Sequence, residues 1–290
     1  MTTTRIVILS AGLFILLGLA ACTDHLLVPT TPGSVPSRLR VKSITEDFPR
    51  EIQNVSLFRY DDQNRLSSIL ANWTPDSTAE LALPIEHTTY QYDGQNRLTG
   101  VSYKVVDRGY LRFAEQYTYQ YNAAGQVESL SRDNGFRETL RYEGSGQLAG
   151  SSVYYSVPFV STYQEDNTYT FTGHNLTATT ESTKSDLRGA SYSSSSTTTF
   201  TYDAKRNPFY GVYFIPAPAN SRKAMAMSVY YGGFDNLLNL SPNNVLTSTT
   251  SGTHLVSYQY TYNAADLPLT RQTVVNGTVT ETLRFEYESY

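Results

Sequence analysis

Tyr90-Gln91-Tyr92-Asp93-Gly94-Gln95-Asn96-Arg97-Leu98 reads as the end of one strand, a tight turn and the start of the next strand. Tyr90 and Tyr92 alternate with a polar residue, so in an extended chain both rings lie on one face. Asp93, directly after the second ring, can accept a hydrogen bond from the amide two residues on. Asn96 tolerates the left-handed backbone that a turn with a bulge requires. The stretch is a hairpin corner, and the chain contains more than one.

The same pattern lies upstream at Phe58-Arg59-Tyr60-Asp61-Asp62-Gln63-Asn64-Arg65-Leu66, and downstream at Tyr119 to Val127 and Leu140 to Leu148. Asn64, Gly125 and Gly146 stand where Asn96 does. Weaker copies occur at Tyr169-Thr170-Phe171, Phe200-Thr201-Tyr202-Asp203, Tyr260-Thr261-Tyr262-Asn263 and Phe285-Glu286-Tyr287. The second aromatics fall at 60, 92, 121, 142, 171, 202, 262 and 287, at intervals of 32, 29, 21, 29, 31, 60 and 25. The doubled interval marks an overwritten unit. The shortest unit, 21 residues, has room for two strands of about eight residues and two turns, which is an antiparallel meander. Asn134-Gly135 and Asn276-Gly277 supply minimal connections at the other end of the strands. Continued from Arg38 to Tyr287, the reading predicts an all-β antiparallel meander of about 16 strands, strongly twisted or curled.

Tyr117-Thr118-Tyr119-Gln120-Tyr121 and Leu283-Arg284-Phe285-Glu286-Tyr287 put aromatic residues on one face and polar residues on the other. So large a meander rarely stays flat, and its Tyr-lined face is expected to be hidden by curling, closure or a covering segment. The unit aromatic-x-Tyr-Asp-x-x-Asn/Gly-Arg-Leu resembles the YD repeat of Rhs-type proteins, and the layout is similar to YD-repeat-like envelope lipoproteins of Bacteroidota. The similarity runs over roughly residues 50 to 287, closest at Tyr60 to Leu66 and Tyr92 to Leu98 and weak from Gly173 to Ser196. In Rhs-type proteins the repeats build a sheet shell around a toxin, so the resemblance implies sheet architecture. With so few repeats, it does not extend to encapsulation.

The composition narrows the class further. Of 290 residues, 40% are hydrophobic and 13% aromatic, with 24 Tyr, which disfavours a helical bundle. A net charge of −4 gives no electrostatic drive toward nucleic acid, and the single Cys excludes a disulfide framework and a multi-thiolate metal site. Met1 to Arg5, the apolar Ile6 to Ala20 and then Leu19-Ala20-Ala21-Cys22 read as an export signal, too short for a comfortable membrane span. The last four residues resemble a bacterial lipobox. That resemblance implies a signal peptide over 1–21, a diacylglycerol-modified Cys22 as mature N-terminus and a lipid anchor in the outer membrane, in a leaflet left open. Thr23 follows the Cys, so the inner-membrane retention signal of enterobacterial lipoproteins is absent. Residues 22–37, with Pro29, Pro32, Pro36 and Gly33, form a flexible tether, and 38–290 form the repeat domain, with an irregular insertion over 208–244.

Variation between units concentrates at the ends opposite the Asp turns. The expected excursions there are Asn72 to Pro84 with Trp73, Ser156 to Asp166, the Ser/Thr-rich stretch around Ser182 to Ser196, and Pro208 to Asn244. Asn207 to Pro216 is dense in aromatics and is read as a plug over the Tyr face. Alternatively Phe209, Tyr210, Tyr213 and Phe214, with Trp73, offer flat platforms for sugar rings. No motif for a nucleophile, phosphate loop or dinucleotide site is present, and the four His lack ligand spacing. Asp61, Asp93 and Asp203 are assigned to turns, and Glu115, Glu128 and Glu138 to polar strand positions. No catalytic residue, metal or cofactor is therefore expected, a carboxylate-based glycosidase being the residual enzymatic reading. The expected role is a non-catalytic module that binds a glycan or an envelope protein through its loops, the alternative being a structural or assembly lipoprotein with no small ligand. An integral outer-membrane barrel fits the strand length. However, Glu288, Glu286 and Arg284 occupy the register where the C-terminal strand of such a barrel wants apolar residues.

Overall fold

The computed structural model describes residues 38–48, 52–75, 85–107, 109–133, 135–157, 161–212, 237–252 and 254–290. The signal segment, Cys22, the tether, and Tyr213 and Phe214 lie outside the described residues. Leu39–Tyr290 forms one compact unit. Its strands are β1 (Leu39–Phe48), β2 (Ile52–Tyr60), β3 (Leu66–Pro75), β4 (Ile85–Tyr92), β5 (Leu98–Asp107), β6 (Tyr110–Tyr121), β7 (Val127–Arg132) and β8 (Arg137–Tyr142). They continue as β9 (Leu148–Val157), β10 (Ser161–Thr172), β11 (Asn175–Leu187), β12 (Ala190–Arg206), β13 (Asn243–Thr250), β14 (His254–Tyr262), β15 (Pro268–Val275) and β16 (Thr278–Ser289). Every strand pairs antiparallel with its neighbour in sequence, and β16 pairs back onto β1, from Leu39↔Ser289 to Asp47↔Thr282. The meander is a closed barrel of 16 strands, which leaves no edge along its main wall.

The corner chemistry is as the sequence predicts. Asp61 Oδ1 accepts from the Gln63 amide and Asp93 Oδ1 from the Gln95 amide, at 2.9 and 2.8 Å. Asn122 and Asn263 do the same for Ala124 and Ala265. Asn64 and Asn96 both adopt φ 63°, and Gly125 and Gly146 take 77° and 85°. Asn276 and Gly277, at φ 50° and 76°, make a two-residue turn that matches strand twist.

In six units the second aromatic has a specific task, which in the 260–262 unit falls to the first ring, Tyr260, while Tyr262 donates to Asp203. The ladder between β3 and β4 ends at Ser68↔Thr89, so the Leu66 carbonyl lies beyond the last backbone pair. The Tyr92 hydroxyl donates to that carbonyl at 2.7 Å. The same latch joins Tyr60 to Val41, Tyr121 to Leu98, Tyr142 to Val127, Tyr260 to Val245 and Tyr287 to Pro268, and Tyr202 donates to the Leu176 carbonyl. Arg65 and Arg97 of one unit stack over Tyr92 and Tyr121 of the next, at 4.5 and 4.6 Å from the ring centres. Arg40 on β1 covers Tyr60 on β2 at 4.1 Å, and Tyr290, just after β16, at 4.9 Å.

Two expectations are corrected. The Ser/Thr-rich stretch around Ser182 to Ser196 is not a loop. It continues β11 into β12 through the two-residue turn Arg188-Gly189, with φ 51° and 85°, because alternating β-branched and hydroxyl residues suit an extended ladder. Likewise the Ser156 to Asp166 excursion is mostly strand, with β9 and β10 paired up to Val157↔Ser161.

Candidate functional site

The strands divide the barrel into a turn end, carrying the Asp corners, and a loop end, carrying the other connections. The core sits at the turn end. Phe58, Tyr90, Tyr117, Tyr119, Leu140, Tyr169, Phe200 and Phe285 point inward and are buried together. The overwritten unit closes this end. Phe209 reaches across to stack on Phe58 and lies tilted against Phe285, with ring centres 5.9 and 6.4 Å apart, and Val212, Leu238 and Leu240 pack on the same core. Asn207 holds the crossing in place. Its amide donates to the carbonyls of Leu238 and Ser241, in and just after a short 3-10 turn, Leu237–Leu240. Ser241 in turn accepts from the Leu176 amide and donates to the Tyr202 hydroxyl.

The described part of the insertion thus fills the barrel at the turn end, with Tyr210 half-buried in the same turn. Trp73 lies elsewhere, on β3 toward the loop end, in register with Asn54. The structure therefore does not bring Trp73 and the 209–210 aromatics together.

Inside the wall, nearer the loop end, stand carboxylates. Glu115 and Glu138 belong to this inner face, at 6% and 1% exposure, and not to the polar face assigned from sequence, whereas Glu128 is exposed. Glu46 and Glu86 are buried on the same side, and Glu165, Glu181 and Glu281 join them on β10, β11 and β16. The signal was available: Glu115 shares parity with Tyr117, Tyr119 and Tyr121, and Glu165 with Tyr163, Tyr169 and Phe171. Most of these acids have donors at hand. The Tyr103 hydroxyl donates to Glu86 at 2.8 Å, Tyr117 to Glu115 at 2.6 Å, and Tyr163 and Asn167 to Glu165 at 2.5 and 2.7 Å. Arg132 lies 3.5 Å from Glu115, and Arg271 makes a 2.7 Å ion pair with Glu281. Burial pushes Glu281 upward, but Arg271 outweighs it and holds the carboxyl below its ordinary range. Glu181 lacks such a cation, so burial, helped by the charge of Glu165, raises it. Asn54, fully buried opposite Glu46, finds no hydrogen-bond partner for its amide among the described residues.

The outer wall is mostly polar, with Leu57, Ile85, Tyr154 and Leu255 as scattered apolar exceptions. His87, Thr89 and Gln91 on β4, Gln116, Thr118 and Gln120 on β6, and Ser193, Ser195, Thr197 and Thr199 on β12 face outward. Arg284 and Glu286 on β16 do too, the latter bonded to Ser43 of β1. A lipid-facing barrel needs the reverse, an apolar band outside and polar residues within.

No family model and no curated protein matches this chain. Its fold is shared with a porin-like protein from Bacteroides uniformis. That structure superposes with a TM-score of 0.50 at 13% identity, covering 86% of this chain and 98% of the other. A porin-like protein from Bacteroides vulgatus gives 0.40 at 14% identity, over 87% and 99% of the two chains. A Photorhabdus luminescens Tc holotoxin pore structure gives 0.22 at 11%, over 82% of this chain and 15% of that one. At 13% identity the Bacteroides uniformis likeness shows the fold alone.

Proposed function

We propose that this protein is a lipid-anchored envelope barrel that neither spans nor conducts through a membrane. In this reading its loop end is a non-catalytic binding surface for a glycan or an envelope partner. The polar outer wall carries the reading: a band of Thr, Ser, Gln and charged residues stays in water, since each charge at bilayer mid-depth would cost roughly 2–4 kcal/mol. The filled turn end supports it, because Phe209 and its neighbours occupy the lumen where a pore would need an opening. The chain enters β1 at the turn end, so an anchor at Cys22 would tether that pole and leave the loop end, with Trp73 near it, for recognition. Polar loop-end connections and one Trp suit a sugar or a protein surface better than an apolar small molecule.

Acyl-free protein, Thr23 to Tyr290, should remain in solution without detergent, free of large aggregates, and produce no conductance when added to planar bilayers. On a glycan array, binding lost in Trp73→Ala places the ligand at the loop end. Channel openings, or aggregation relieved only by detergent, would reverse the reading. A second reading, a carboxylate hydrolase, draws on one observation, the raised Glu181 beside Glu165. Glycan cleavage by the wild type that Glu165→Gln abolishes would favour it.

A further inference from the structure

The barrel wall is uneven at the loop end. β9, β10, β11 and β12 rise to a common height, at Val157↔Ser161↔Leu187↔Ala190. β13 stops lower. Its last pair with β12 is Thr250↔Thr198, and the Ser251 amide, in the turn just after it, donates to the Thr197 carbonyl. Ala190-Ser191-Tyr192-Ser193-Ser194-Ser195-Ser196 is therefore paired with β11 on one side only, and among the described residues nothing pairs with its other side. This is a sheet edge above the closed part of the barrel; β6 likewise rises above its last pair with β7, Tyr117↔Arg132, but carries Arg112 there.

Sheet edges are normally blunted by Lys, Pro, a bulge or a covering segment. None of the first three is present here. The seven residues carry no charge and no proline, their register with β11 is unbroken, and Ala190 to Ser195 are exposed, Tyr192 at 63%. Behind the edge, hydroxyl pairs such as Thr183 with Ser194, 2.6 Å apart, tie β12 to β11, and β10 and β9 back it further. The edge is thus held straight, as strand addition requires.

We propose that this edge pairs antiparallel with the same edge of a second copy, through a two-fold axis at Ser193. Three features select that occupant. A two-fold antiparallel pairing places Ser193 opposite itself, Tyr192 opposite Ser194 and Ala190 opposite Ser196, so apart from Tyr192, which meets a serine, only small neutral side chains face each other and no like charges oppose. The edge offers no charge that would select a foreign strand by complementarity. Its length, about 23 Å for seven extended residues, is used in full by an identical strand. The contact is small, below the ~1,000 Å² of a stable interface, so association is weak and reversible.

Analytical ultracentrifugation of acyl-free Thr23–Tyr290 from low to high micromolar concentration tests this. A monomer–dimer equilibrium is expected, with the dissociation constant raised at least tenfold in Ser193→Lys, which sets two ammonium groups face to face at the axis. Ser182→Lys, on the far side of the same hairpin, should leave it unchanged. Hydrogen exchange should show Ala190 to Ser196 gaining protection with concentration in the wild type but not in Ser193→Lys. A monomer at every concentration, a dimer indifferent to Ser193→Lys, or protection appearing elsewhere would overturn the proposal. None of these outcomes depends on whether the loop end binds a glycan.

Discussion

Tyr92 shows what a single residue contributes. Its ring belongs to the core, while its hydroxyl supplies the hydrogen bond that the β3–β4 ladder leaves unmade at Leu66. Burial raises its ionisation to about 12, so the donor stays protonated across the physiological range. Tyr92→Phe should cost about 1 kcal/mol, because the Leu66 carbonyl loses its partner while the packing stays. At the β9–β10 seam the corresponding residue is Phe171, beyond the last pair Thr168↔Gly150. Phe171→Tyr should therefore raise the melting temperature where Tyr92→Phe lowers it. Glu181 is the opposite kind of residue. Its folded ionisation lies above the unfolded one, so the stability linked to it is present at acidic pH and lost as pH rises through the raised value. Glu181→Gln should melt higher than wild type at pH 7, and the advantage should vanish near pH 4. An advantage that persists in acid would mean that the effect is not ionisation.

At the scale of the element, the corners were legible because their requirements are local. An acceptor two residues before an amide and a residue that tolerates positive φ can be read without knowing the fold. The β11–β12 hairpin was not, because Ser and Thr serve loops and ladders alike, and only the unbroken register from Ala178↔Thr199 to Leu187↔Ala190 decides between them. The insertion illustrates a further limit. Its aromatic density signalled burial but not the pole at which it would be buried, which follows from the β12 end feeding the turn side. Phe209→Ala tests its role. Loss of the ring contacts with Phe58 and Phe285 should destabilise the barrel by roughly 2–3 kcal/mol, read by denaturant titration, whereas a mere surface turn would tolerate the change.

For the whole molecule, strand number followed from repeat arithmetic, but closure did not. Whether β1 meets β16 depends on accumulated twist and stagger over 16 strands, which no single unit encodes. The inner carboxylates escaped for a related reason. Strand parity already put Glu115 and Glu165 on the Tyr face, but a carboxylate reads as solvent-facing until the inward donors Tyr103, Tyr117 and Tyr163 are seen beside these acids. The polar outer register of β16 was correctly legible, since Arg284 and Glu286 do face out.

Because Leu39 lies opposite Ser289, the polypeptide is a ring nicked at one seam. A rearranged gene that fuses the present ends through a short linker and opens at Asn276-Gly277 would preserve every strand pairing, and with it every Tyr latch. Such a circularly permuted chain could hang from the opposite pole while keeping the same body.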